Sequence, residues 1–272
     1  MHTGSRPLIS VNPIFHRLWR AVAYLGAAYL LFAACSSLTS AADAPAEDNQ
    51  ARELLQRADR IRFPEQDFQV DIVITTSAPD SDPDERSYRI LSKGNSQTLV
   101  QTTAPAIDRN QILLMRDHDL WAFLPNLSQP IRLPLSQRLT GQVANGDLAR
   151  ANFVGDYEPK ILRKEKMNEE MYYVLQLDAV DNWVTYRKVL YWVNVKNGRP
   201  YKAEFYAVSG RLLKAAYYSD FETLGGAIRP TRLIIEDALR KDHRSELEYS
   251  NMVLRDLPDK VFTKDYLKKL SR

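Results

Sequence analysis

The chain has 272 residues, a formal net charge of +3 and a single cysteine, so no disulfide can form within one molecule and a hydrophobic core must hold it together. Arg6, Arg17 and Arg20 stand near the N-terminus; taking them from the 37 basic residues leaves 34, equal to the 34 acidic residues. A chain balanced in this way carries no electrostatic footprint for a nucleic acid.

Residues 1–34 read as a signal peptide. They hold those three arginines and no acidic residue, followed by the uncharged run Ala21–Ala34. That run is shorter than the roughly 20 apolar residues of a membrane span. Two processing sites are open. Leu31-Phe32-Ala33-Ala34-Cys35 resembles a lipobox, which would make Cys35 a lipid-attachment site, although Phe32 stands where Leu, Val or Ile is usual. Ser40-Ala41-Ala42 supplies the small residues of ordinary cleavage and would release a soluble protein from about Asp43. Either route places the mature protein in the periplasm of a Gram-negative envelope, soluble or lipid-anchored to the outer membrane. Residues 35–48 are small and polar and read as a flexible tether. Residues 49–272 remain for the folded domain.

A helix is predicted over Asn49–Arg60, with Leu54, Leu55 and Ala58 on one side, and Pro64 closes it. Strand signals then dominate. Phe68–Thr76 alternates, Ala78–Asp84 is a Pro/Asp turn cluster, and Ser87–Ser92 with Gln97–Thr103 reads as a hairpin. Ile112–Met115 and Leu120–Leu124 meet across Asp117-His118. Further strands are predicted at Lys160–Lys166, Tyr172–Asp178, Lys188–Val195, Tyr201–Val208, Leu212–Tyr218, Thr231–Asp237 and Glu246–Asn251, with Asn197-Gly198 and Ser209-Gly210 as turns. About eleven strands at hairpin spacing, without crossover helices, make an antiparallel meander. Leu135–Phe153 interrupts it. Helical character is predicted over Ser136–Ala144, and a second helical turn from Asp147, whose side chain would cap it. A short helix, Thr263–Leu270, ends the chain.

Catalytic signals are absent from this pattern. His118 sits between Asp117 and Asp119 and His243 between Asp242 and Arg244, which are turn compositions. No His/Cys spacing suits a metal and no Gly-x-Ser-x-Gly elbow occurs. The reading is of a non-enzyme without cofactor or metal. Several strands are instead apolar on both faces, as with Val189, Tyr191 and Val193 against Leu190 and Trp192. An open antiparallel sheet normally alternates apolar with polar, so such strands need cover on both sides. An ordinary sandwich meets that need, and so does a half-closed barrel around an apolar ligand.

The stretch from Ile112 to Pro125, with Asp119-Leu120-Trp121-Ala122-Phe123-Leu124-Pro125 at its end, resembles a hairpin of the outer-membrane lipoprotein-sorting, LolA-like superfamily. Ile131–Leu135, Gly141 through Asp147, Asp156-Tyr157 and Leu257–Phe262 fit the same pattern, so the resemblance spans about residues 50–270. It implies an incomplete antiparallel barrel with a helical lid over a hydrophobic cavity. It also implies cargo, the acyl chains of a lipid or lipoprotein, for transport or sorting to the outer membrane. The alternative is a periplasmic sensor or scaffold that recognises another envelope protein. Membrane contact would be peripheral or through a lipid anchor. The Pro79–Asp84 loop and the chain's length depart from the family's carriers. Candidate cavity and lid residues are Trp121, Phe123, Leu139, Val143, Tyr191, Trp192 and Phe205. Leu139 and Val143, four apart, would share one face of a lid helix.

Overall fold

The computed structural model describes residues 44–94 and 96–270. The expected signal peptide, Cys35 and most of the expected tether lie outside the described residues. From Glu47 onward the chain is one compact unit.

Helix α1 (Ala44–Arg62) begins five residues before the predicted start. Alanine, glutamate and a proline in the first turn are all compatible with a helix, so residues 44–48 belong to the helix and not to a tether. Ala51, Leu55 and Ala58 are buried along its inner side.

The strands are β1 (Phe68–Ser77), β2 (Asp84–Lys93), β3 (Gln97–Ala104), β4 (Ile112–Arg116), β5 (Asp119–Phe123) and β6 (Ile131–Leu133). After the insert come β9 (Tyr157–Met167), β10 (Glu170–Ala179), β11 (Lys188–Asn194), β12 (Pro200–Tyr206), β13 (Leu212–Leu224), β14 (Ala227–Asp237) and β15 (Arg244–Leu254). Within the insert, β7 (Arg138–Thr140) and β8 (Val143–Ala144) form a separate two-stranded ribbon. The other thirteen make one antiparallel sheet in the order β6-β5-β4-β3-β2-β1-β15-β14-β13-β12-β11-β10-β9. Each half is a meander, and the β1–β15 ladder, from Phe68↔Leu254 to Ser77↔Arg244, joins the two halves. The sheet is half-open: β6 and β9 are its ends. All twelve segments predicted as strands are strands of this sheet, and β6, too short for a periodicity signal, makes thirteen against the expected eleven; the β13–β14 hairpin also runs on past the predicted ends.

The insert differs from its prediction. Ser136–Ala144 is not helical; β7 and β8 occupy it, and α2 (Asn145–Ala149) follows. Gly141 is the reason. It turns the chain at φ +49°, and a Cβ there would lie 2.2 Å from the Thr76 hydroxyl and 2.3 Å from that of Ser245. The glycine lets backbone press on the β1–β15 ladder, and Gln142 N–H donates to Ser245 Oγ at 2.9 Å. The helical turn begins at Asn145, two residues before the expected Asp147; Asp147 is its third residue, and its carboxylate accepts Ala144 N–H at 2.7 Å, the carboxylate half of a capping box.

Period-two alternation sends successive side chains to opposite faces. The concave face, with α1 and the insert against it, holds the main cluster, including Val70, Ile72, Ile74, Leu177, Val189, Tyr191, Phe205 and Ile235. On the other face Leu99, Ile112, Leu114 and Phe123 pack against Leu257, Phe262 and Leu267 of the C-terminal segment and α3 (Lys264–Leu270).

Candidate functional site

The site begins in the last turn of α1. Asp59 and Arg62 lie one turn apart on its inner side, both buried, with Oδ1 and Nη1 3.2 Å apart. Asp59 Oδ2 accepts the backbone N–H of Phe153 at 2.7 Å and of Val154 at 2.8 Å. Arg62 Nη2 donates to the Ala151 carbonyl at 2.5 Å. Its guanidinium lies 4.7 Å from the Phe153 ring centroid, 5.4 Å from Tyr218 and 5.5 Å from Phe63. One turn of helix therefore grips the strip 151–154 by its backbone. Arg229 fixes that turn in place, donating to the carbonyls of Arg60 at 2.8 Å and Ile61 at 3.3 Å.

The other end of the strip is held from β13. Lys214 is buried and donates to Asp147 Oδ2 at 2.5 Å and to the Gln142 carbonyl at 2.8 Å. The Tyr186 hydroxyl donates to Asp147 Oδ1 at 2.8 Å. Between these anchors Arg150 pairs with Asp156 and donates to the Asp117 carbonyl at 2.9 Å. Residues 145–154 thus form a plug on the concave face, tied by one buried ion pair, Asp59–Arg62, and two partly buried ones.

Burial shifts groups in two of the pairs. It pushes the Asp59 carboxyl above its ordinary value, against the opposing pull of Arg62 and the two N–H donors. It pulls Lys214 down, against Asp147. Between plug and sheet lies a cavity of about 30 Å3, lined by Phe63, Phe68, Val70, Ile72, Ile90 and Leu148 among others. A second of the same size surrounds Arg62, Phe153 and Tyr186. Among the described residues no group of three or more His, Cys, Asp or Glu is placed to hold a metal.

The sequence-derived candidates divide between the two faces. Leu139, Val143, Tyr191 and Phe205 belong to the concave cluster. Leu139 and Val143 reach it from the ribbon, not from a lid helix. Tyr191 is fully buried, T-shaped against Phe153 at 5.2 Å. Trp121 and Phe123 lie on the opposite face, where Lys264 Nζ sits 3.0 Å from the Trp121 ring centroid. Trp192 is also opposite, with Tyr172 and Val174. Cys35 lies outside the described residues. Asp59, Arg62 and Arg150 carry no local signal of this role in the sequence, and Asp156 enters there only within the family resemblance. Lys214 leaves a trace, as a charge at an inward position of an apolar strand.

A curved, open sheet whose concave face is filled by one helix and a polar-anchored plug defines a class of half-open β proteins. Comparisons place the chain within it. A LolA superfamily protein from Nitrosomonas europaea is 59% identical, with 79% of this chain and 98% of that one covered and a TM-score of 0.77. The chain belongs to the LolA superfamily. A family model described as "Uncharacterized protein" matches residues 94–269. Two further structures share the fold at a TM-score of 0.70, each covering 81% of this chain and 99% of their own. They are a proposed outer membrane lipoprotein-sorting protein domain from Vibrio parahaemolyticus, 21% identical, and a DUF1329 family protein from Desulfovibrio piger, 20% identical. A search of the curated proteins found no match. Among the described residues no helix is long and apolar enough to cross a membrane.

Proposed function

We propose that the protein binds the acyl chains of a lipid or of a lipid-modified protein on the concave face of its sheet. It acts as a periplasmic carrier or sorting protein and performs no chemistry. One observation carries the reading: a short plug, residues 145–154, covers apolar strands β1–β3 and is tied down by polar contacts. Lining the space beneath it are Phe63, Phe68, Val70, Ile72 and Ile90. Lifting the plug would offer an alkyl chain an apolar bed, and each side chain kept from water by that chain is worth about 1.5–3 kcal/mol. Superfamily membership and the sorting-domain relative support the same direction. Export by the N-terminal leader, with or without a lipid on Cys35, completes the proposal.

A second reading has its own observation. On the convex face Met167, Leu190 and Tyr201 are partly exposed over the buried Tyr172, Val174 and Trp192, and no described helix belongs to this cluster. Such a patch suits recognition of another envelope protein. Titration of the purified mature protein with cis-parinaric acid separates the two. Saturable binding near one-to-one, strengthened in Asp59→Asn, is expected. A correctly folded protein that binds neither this probe nor any lipid in native mass spectrometry would reject the carrier reading.

A further inference from the structure

The two ends of the sheet are remote in strand order, yet a side-chain contact joins them. His118, in the β4–β5 turn, stacks on Trp183, in the β10–β11 connection, with ring centroids 3.6 Å apart and planes inclined by 31°. Arg150, at the end of the plug helix, covers the Trp183 ring at 4.9 Å while it donates to the Asp117 carbonyl beside His118. Along the stack runs a groove of about 370 Å3, walled by Leu133–Ser136 on one side and Asn182–Val184 on the other. Among the described residues β6 and β9 share no backbone ladder, so side chains hold this seam.

We propose that the seam is the portal through which an alkyl chain reaches the concave interior. The His118–Trp183 stack is its clasp, and Arg150 couples the clasp to the plug. The inference rests on the acyl-binding reading above. The interior cavities, about 30 Å3 each, have room for a water molecule but not for an alkyl chain, so something must move before a chain is admitted. Elsewhere along the sheet the strands are joined by backbone hydrogen bonds, and parting a ladder leaves donors and acceptors without partners in apolar surroundings. At the seam, the contacts that part are made by side chains, the ring stack and Arg150 among them, and His118 is already exposed. The groove has the size of a small-molecule site, and Leu133, Leu135, Trp183 and Val184 give it an apolar wall. An alkyl chain threading it stays sheltered from water. Parting the clasp also takes the Trp183 face and the Asp117 carbonyl away from Arg150. The same movement that opens the portal therefore loosens the middle of the plug, where its helix ends.

A cross-link across the seam tests this. In a Cys35→Ser background, His118→Cys and Trp183→Cys are joined by a reductant-cleavable bismaleimide. Stopped-flow uptake is then followed for two probes: cis-parinaric acid, a free fatty acid, and a dansyl-labelled diacylated lipopeptide, a mimic of a lipid-modified protein. The uncross-linked double variant is expected to load several-fold faster than the wild type. The cross-linked form is expected to load tenfold or more slowly with whichever probe the wild type accepts, and reductant should restore the rate. Circular dichroism checks that both forms keep the sheet. Equal loading rates with the seam locked and unlocked would overturn the portal while leaving the acyl-binding reading standing. A wild type that takes up neither probe would overturn both.

Discussion

The two faces of the sheet are covered in different ways. On the convex face, the C-terminal segment buries Leu257, Phe262 and Leu267 against Leu99, Ile112, Leu114 and Phe123, and its ion pair to the sheet, Asp259 with Lys93, lies at the solvent-exposed rim. On the concave face the plug presses Leu148, Ala149 and Phe153 on the core, but its ends are fixed by Asp59–Arg62, Asp147–Lys214 and Arg150–Asp156. Apolar cover is lost only by exposing its area to water. Buried ion pairs add specificity of position more than net stability, because desolvation offsets much of their attraction. One cover is built to stay. The other is built to sit in one defined place, and under the proposed function it gives way to an acyl chain.

That contrast can be broken first on the convex side. Phe262→Ala removes a side chain that is 1% exposed and should cost about 3–5 kcal/mol. It is expected to lower the urea midpoint in equilibrium unfolding, with no gain in affinity for cis-parinaric acid. On the concave side, Lys214→Met leaves Asp147 buried without its cation, a loss of about 3 kcal/mol. Tyr186 and the Ala144 N–H still hold Asp147, so the sheet should persist. Limited proteolysis is then expected to cut within residues 145–154 many times faster than in the wild type, and probe affinity is expected to rise.

Asp59→Asn sharpens the comparison through pH. Burial raises the folded-state pKa of Asp59 above its unfolded value, so in the interval between the two values the folded protein holds the extra proton. The contribution of Asp59 to stability therefore increases as pH falls through the folded pKa and is complete below the unfolded one, about 3.9. Thermal melts across the acid range should show the difference between wild type and Asp59→Asn shifting in favour of the wild type as pH falls. A shift in the opposite sense would mean that the carboxylate is better held than its burial implies. The smallest effect belongs to His118→Ala, which removes a partly solvated ring stack and should change stability by about 1 kcal/mol or less.

How much of this was legible in the sequence follows from the physics of each element. The antiparallel meander was readable because strand alternation and turns such as Asn197-Gly198 are local signals, and the hairpins fell close to where alternation put them. The ribbon at Arg138–Ala144 was not. Spacing alone made Leu139 and Val143 look like one face of a helix, whereas Gly141 turns the chain against Thr76 and Ser245, more than sixty residues away on either side. Facing was lost for a related reason. Greasiness on both sides marked Trp121, Phe123, Tyr191 and Trp192 alike, but only the long-range packing of α3 tells which face is already filled. The anchors were the least visible. Asp59 and Arg62 look like the charged side of an amphipathic helix, and nothing local shows that the plug's backbone waits there to be bonded.

Under the proposed function an acyl chain displaces the plug and leaves the convex cover alone. Hydrogen–deuterium exchange of the purified protein, with and without saturating cis-parinaric acid, compares the two covers in one experiment. Ligand is expected to speed exchange in residues 145–154 while peptides from 257–270 keep their rate. Saturation of the protein with ligand and no change in 145–154, or an equal change in both segments, would contradict the account.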